Sequence, residues 1–154
     1  DQYGFDIISL LPVNLYGPRD NFNPERSHVL PALIKKVYDA KKEKKLEVEV
    51  WGTGRATREF LHAEDAAEGI ILATELYNKP DPVNLGSGKE ISIKHLINLI
   101  ARFMDYEGEI RWDYTKPDGQ PRRMLDTSRA EKEFLLGLLF PKRLLRADWC
   151  AGPL

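Results

Sequence analysis

A single cysteine, Cys150, excludes an intrachain disulfide framework, and the four-ligand Cys/His spacing of a zinc site is absent. No apolar run approaches the roughly 20 residues that a membrane-spanning helix needs. Neither sign of charge dominates. The formal net charge of -1 gives no electrostatic pull towards nucleic acid or an anionic bilayer. The opening residues, Asp1-Gln2-Tyr3-Gly4, lack the basic and apolar regions of a secretory signal. A reducing, cytoplasmic setting is the expectation. An initiator methionine is also missing, and the apolar run Ile8 to Leu11 follows almost at once. A buried strand so near a terminus leads us to expect a cut through a larger protein.

What is present suits one ordinary domain, or part of one. The chain has 154 residues, 42% of them hydrophobic and 31% charged, a balance that buries a real core. Apolar runs and helical patterns alternate. Asp6 to Pro12 reads as a buried strand, and Asn14 to Ser27 as a loop rich in Asn, Pro and Gly. Ser27 is the expected cap of a helix that turns Leu30, Leu33, Ile34 and Val37 inward. Leu46 to Trp51 alternates as a half-buried strand and stops at Gly52-Thr53-Gly54. Asp65 to Leu76 reads as a second helix and Val83 to Leu85 as a short strand. Ser92 caps a third helix with Leu96, Leu99, Ile100 and Phe103 inward. Ile110, Trp112 and Tyr114 alternate in a further strand. A loop from Lys116 to Arg123 precedes a short helix at Thr127 or Ser128. This alternation predicts an α/β architecture. The tail, residues 135–154, departs from this pattern. It is apolar, then basic, without clear caps.

Three clusters carry chemistry. Asn14-Leu15-Tyr16-Gly17-Pro18 follows a strand, where open α/β sheets bind ligands; a plain Gly-Pro turn is equally compatible. His28 opens a helix and shares an i, i+4, i+8 row with Lys36, so both can face one cavity. A histidine there can shuttle protons near neutral pH, although spacing alone favours a surface histidine and a solvated lysine. Trp51, Arg58, Asp118, Arg122 and Arg123 include groups for phosphate, for an aromatic base and for sugar hydroxyls. Tyr38 and Lys42 have the Tyr-x-x-x-Lys spacing of a dehydrogenase pair, which arises easily by chance in a Lys-rich helix end. Gly86-Ser87-Gly88 lacks the third glycine of a dinucleotide fingerprint.

In order along the chain, Pro12-Val13-Asn14-Leu15-Tyr16-Gly17-Pro18, Asp20-Asn21-Phe22 and Ser27-His28-Val29-Leu30-Pro31-Ala32-Leu33-Ile34 resemble the GDP-L-fucose synthases. Val50-Trp51-Gly52-Thr53-Gly54, Arg58-Glu59-Phe60-Leu61-His62, Val83-Asn84-Leu85-Gly86-Ser87-Gly88 and Lys116-Pro117-Asp118-Gly119-Gln120-Pro121-Arg122-Arg123 continue the match. That family lies within the extended short-chain dehydrogenase/reductases, with a Rossmann-like fold. It converts GDP-4-keto-6-deoxy-mannose to GDP-L-fucose by 3,5-epimerisation and NADPH-dependent 4-reduction.

The resemblance implies that residues 1–134 are the carboxy-terminal, sugar-nucleotide-binding part, without the amino-terminal cofactor half, and that residues 135–154 are an atypical tail. It implies a catalytic role for His28, with the partner cysteine upstream of Asp1. It places Pro12, Val13, Asn14, Leu15 and His28 near NADP(H), and Lys36, Trp51, Arg58, Asp118 and Arg123 at the GDP-sugar. No metal is expected, and a homodimer is the family habit. The Gly-rich turn, the catalytic Tyr-x-x-x-Lys pair and the serine beside it fall outside the match, so little turnover is expected from this chain alone. Tyr38 and Lys42 do not replace the pair, which precedes the Asn14 motif in the family. A GDP-sugar-binding module without chemistry and an unstable truncated product are the alternatives.

Overall fold

The protein is described by a computed structural model covering residues 3–23 and 25–134. The expectations for the tail and Cys150 lie outside the described residues. In chain order the elements are β1 (Leu10–Pro12), β2 (Asn14–Tyr16), α1 (Val29–Lys42), β3 (Glu47–Trp51), β4 (Thr57–His62), α2 (Ala63–Leu76), β5 (Val83–Leu85), β6 (Glu90–Ser92), α3 (Ile93–Phe103), β7 (Glu109–Asp113), β8 (Arg122–Arg123) and α4 (Ser128–Phe134). The architecture is α/β, as the alternation predicts. The stretch 1–134 comprises two compact units. One takes the residues up to Leu15, Glu59–Lys89 and those from Met124; the other takes Tyr16–Arg58 and Glu90–Arg123.

In the first unit β1 runs parallel to β5, with Leu10 opposite Val83 and Pro12 opposite Leu85. α4 packs on β5 and on α2. Val13, Leu61, Ala66, Ala73, Val83, Leu85 and Ala130 form the core with Tyr77 and Phe134, whose rings meet edge to face at 6.1 Å. α2 starts at His62, whose ring nitrogen accepts from Glu64 N–H at 3.3 Å. Its buried row is Asp65, Ala66, Gly69 and Ala73, small residues that permit close approach, and Ile70 and Ile71 face outward.

The predicted strand Asp6 to Pro12 is corrected: only Leu10–Pro12 is strand, and Leu11 is exposed. A continuous apolar run is what a strand covered on both faces shows. Among the described residues β1 has one partner strand and one covered face, where Ile8 and Leu10 meet the core.

In the second unit β3 runs parallel to β7 from Glu47 opposite Glu109 to Trp51 opposite Asp113. Val48 and Val50 point into the core, and Glu47 and Glu49 outward, as the alternation requires. α1 lies on β3 and α3. Its inward residues are those expected from the spacing: Leu30, Leu33, Ile34 and Val37. Pro31 is tolerated in its first turn, where no intrahelical donor is required. The expected cap is not Ser27. His28 occupies the cap position with extended backbone and no side-chain cap bond. Lys41 and Lys42 end the helix, matching its carbonyl pole. In α3 the Ser92 hydroxyl caps His95 N–H at 3.1 Å as predicted, but Ile97 is buried and Phe103, expected inward, is exposed. β4 begins beside β8 in parallel, with Thr57 opposite Arg122 and Arg58 opposite Arg123. β2, β4, β6 and β8 are short strands that the patterning does not announce.

Candidate functional site

A pocket of about 550 Å³ opens in the second unit between α1, the end of β3, the start of β4 and the β7–β8 loop. Its walls are largely apolar: Val29, Ala32 and Leu33 from α1, Val50, Ala56 and Ile93. Trp51, Lys36, Arg58 and Asp118 join them, so four of the predicted sugar-nucleotide residues come together here. The size and the few polar groups in an apolar wall are those of a small-molecule site. A larger, shallower concavity of about 820 Å³ shares Lys36, but lysines and glutamates of opposing sign rim it and it has no aromatic ring.

Each polar group reaches the pocket by local geometry. The i, i+4 row of α1 brings Ala32 and Lys36 to the wall; His28, one step earlier, is exposed and does not line it. Lys36 Nζ donates to Glu49 O at 3.1 Å and stands 5.5 Å from the Trp51 ring centre. Trp51 ends β3 and is 60% exposed, a large aromatic surface left open. The Arg58 guanidinium donates to Thr57 O at 2.7 Å. Its ladder partner is Arg123, so two arginines stand side by side without a carboxylate partner among the described residues. Arg122, in contrast, is paired to Glu90 at 2.9 Å. Neighbouring ladder positions that both carry arginine suit an anion between them.

Asp118 does not hang free. Its carboxylate accepts from Thr53 N–H at 2.5 Å and from the Thr53 hydroxyl at 2.6 Å, latching the β7–β8 loop onto the β3–β4 turn. The Thr53 hydroxyl and then its N–H hold the Asp118 carboxyl below its usual range. A carboxyl lowered on folding stabilises above its ordinary value and loses that contribution as pH falls through the lowered one. The latch is therefore expected to survive acidification to its ordinary pKa of 3.8. An NMR titration of the Asp118 carboxyl carbon with a midpoint at or above that value would contradict this.

The turn itself depends on Gly54. It sits at φ +72°, and a methyl there would enter the Trp112 ring. Gly54→Ala is expected to cost about 2 kcal/mol through strain and overpacking; an unchanged urea midpoint would exclude that.

The residues expected near a nicotinamide, Pro12 to Leu15, belong to the first unit, and His28 to the second. Val13 is buried and its N–H donates to Leu85 O at 2.9 Å. Asn14 Nδ2 donates to Glu59 O at 2.9 Å, and Pro12 and Leu15 are exposed. Among the described residues no group of three His, Cys, Asp or Glu forms a metal site, and no helix is long and apolar enough to cross a membrane.

Two residues escaped the sequence reading. Glu59 is fully buried, and its carboxylate accepts from Gly88 N–H at 2.7 Å, Leu125 N–H at 2.8 Å and the Ser87 hydroxyl at 3.3 Å. Gly86 has no side chain because a methyl would strike that carboxylate. Lys116 stands 5.5 Å from the Trp51 ring centre. The only signals were the position of Glu59 within a quoted motif and of Lys116 two residues before Asp118.

The sequence and the fold have known relatives. The chain is 49% identical over 131 residues to the probable GDP-L-fucose synthase 1 of Oryza sativa subsp. japonica, a match covering 85% of this chain and 40% of that protein. It is 41% identical over 137 residues to the GDP-L-fucose synthase of Escherichia coli (strain K12), covering 83% and 43%. A crystal structure of a GDP-L-fucose synthetase from Naegleria fowleri bound to NADP superposes with a TM-score of 0.78 at 29% identity, covering 93% of this chain and 44% of that one. The chain thus spans about 40% of the length of the curated relatives it matches. The profile of the NAD dependent epimerase/dehydratase family matches residues 1–86, more than half of the chain. The chain belongs to the NAD dependent epimerase/dehydratase family.

Proposed function

We propose that this chain supplies the sugar-nucleotide side of a GDP-4-keto-6-deoxy-mannose 3,5-epimerase-4-reductase of the GDP-L-fucose synthase kind. One observation carries the reading: Lys36, Arg58 and an open Trp51 ring line one apolar pocket, beside an Arg58–Arg123 pair that lacks a counter-ion among the described residues. Cations that lack carboxylate partners, next to an aromatic surface and apolar walls, suit a nucleoside diphosphate carrying a sugar. Arg123 joins Arg58 on the phosphates, and Asp118 holds the loop while offering oxygen to sugar hydroxyls.

Epimerisation beside a carbonyl needs a proton taken and a proton given. His28, held at a helix start and exposed, is one of these groups. NADP(H) supplies the hydride for C4 when bound. Pro12 and Leu15 suit a nicotinamide ring in kind, as exposed apolar surface, and the Asn14 side-chain oxygen suits a carboxamide N–H as acceptor. We place the protein in the cytoplasm, as part of a homodimer.

Calorimetric titration with GDP-4-keto-6-deoxy-mannose tests the pocket: saturable binding is expected, and none would sink the reading. A binding module without chemistry is the second reading, favoured because the pocket is complete within one unit. Solvent deuterium entering C3 or C5 of the bound sugar, and lost in His28→Asn, supports the enzyme; binding without exchange supports the module.

A further inference from the structure

Lys116 is unaccounted for by that reading. Its ammonium and that of Lys36 each stand 5.5 Å from the centre of the Trp51 ring. Two positive groups thus share one aromatic ring, and neither forms an ion pair among the described residues. The carboxylate nearest in sequence on the β7 side, Asp113, accepts from Thr115, through its N–H at 3.0 Å and its hydroxyl at 2.6 Å, and feels Lys116 and Arg111 only as charges beyond ion-pair distance. Asp118, two residues on, is engaged by Thr53.

The loop that carries Lys116 is also fixed. Lys116 N–H donates to Asp113 O at 3.3 Å, which closes the turn after β7. The Asp118–Thr53 latch holds the other side. A loop held in this way loses little backbone entropy when a ligand arrives, and only the lysine side chain has to be ordered. Cation–π attraction to an exposed ring is worth about 0.5–1 kcal/mol per ammonium, and a diphosphate offers each of them a far stronger charge partner.

We infer that Lys116 is a phosphate-binding residue: with Lys36 it closes a two-lysine collar at Trp51 around the diphosphate of the nucleotide. The inference rests on the nucleotide-sugar reading of the pocket and adds a ligand group that the family resemblance did not assign. The collar acts on the diphosphate and not on the base, so it raises affinity for every nucleoside diphosphate alike.

The test is calorimetric titration of GDP and of guanosine into the wild-type chain, Lys116→Gln, Lys116→Arg and Arg58→Ala, each at two salt concentrations. Lys116→Gln is expected to weaken GDP about tenfold, to leave guanosine unchanged and to lower the salt dependence, with Lys116→Arg close to wild type. Unfolding midpoints matching the wild type confirm that the fold is intact. If Lys116→Gln binds GDP within about twofold of wild type while Arg58→Ala loses it, the inference is overturned and the nucleotide reading stands. If the wild-type chain binds no GDP, the nucleotide reading falls and takes the inference with it.

Discussion

Glu59→Ala is expected to lower stability by about 3 kcal/mol. The carboxylate is inaccessible to solvent and joins three places distant in sequence: β4, the Ser87–Gly88 turn and Leu125. Removing it leaves two part-buried N–H donors without that acceptor, at roughly 1–2 kcal/mol each. The relief of no longer burying a charge offsets part of that. Against a total of about 5–15 kcal/mol for a domain, this is a large fraction. Glu59→Gln keeps the shape but turns an NH2 towards an N–H donor, so an intermediate loss of about 1–2 kcal/mol is expected. Urea unfolding followed by circular dichroism measures both. An alanine variant with a wild-type midpoint would show that the clamp is dispensable.

Arg58→Ala is expected to weaken GDP-sugar binding by one to two orders of magnitude, since a charge-assisted bond to phosphate contributes about 1.5–3 kcal/mol. The guanidinium is half-buried, braced on Thr57 O, and stands beside Arg123 with no carboxylate partner among the described residues. Its planar fork suits two phosphate oxygens, which a lysine cannot imitate, so Arg58→Lys recovers only part of the affinity. Arg58 makes no ion pair among the described residues, so its loss is expected to leave stability nearly unchanged. Affinity lost together with stability would point instead to a structural role. Affinity within about twofold of wild type would remove Arg58 from the ligand site.

Much of this was legible from local pattern. The helices containing Leu33, Ile34, Val37, Leu96 and Ile100, the strand through Val48 and Val50, and the Ser92 cap all follow from periods of about 3.6 and 2 and from cap chemistry. The motifs around His28, Trp51 and Asp118 carried the family. Errors fell where local signal is weak. β2 and β8 are two or three residues long, and Ser27 and His28 compete for one cap position. In α2 small residues took the inner face and left the larger Ile70 and Ile71 outside.

The sequence by itself determined the α/β class, the inner faces of α1 and β3 and the family, because these depend on residues within a few positions of one another. Only the tertiary structure decided that Glu59 meets Gly88 and Leu125, that Thr53 holds Asp118, that Arg58 stands beside Arg123 and that Lys116 reaches Trp51. Each of these joins residues tens of positions apart, through turns set by positive-φ glycines and parallel ladders. No period along the chain encodes such a meeting, because the backbone that brings the partners together must fold first.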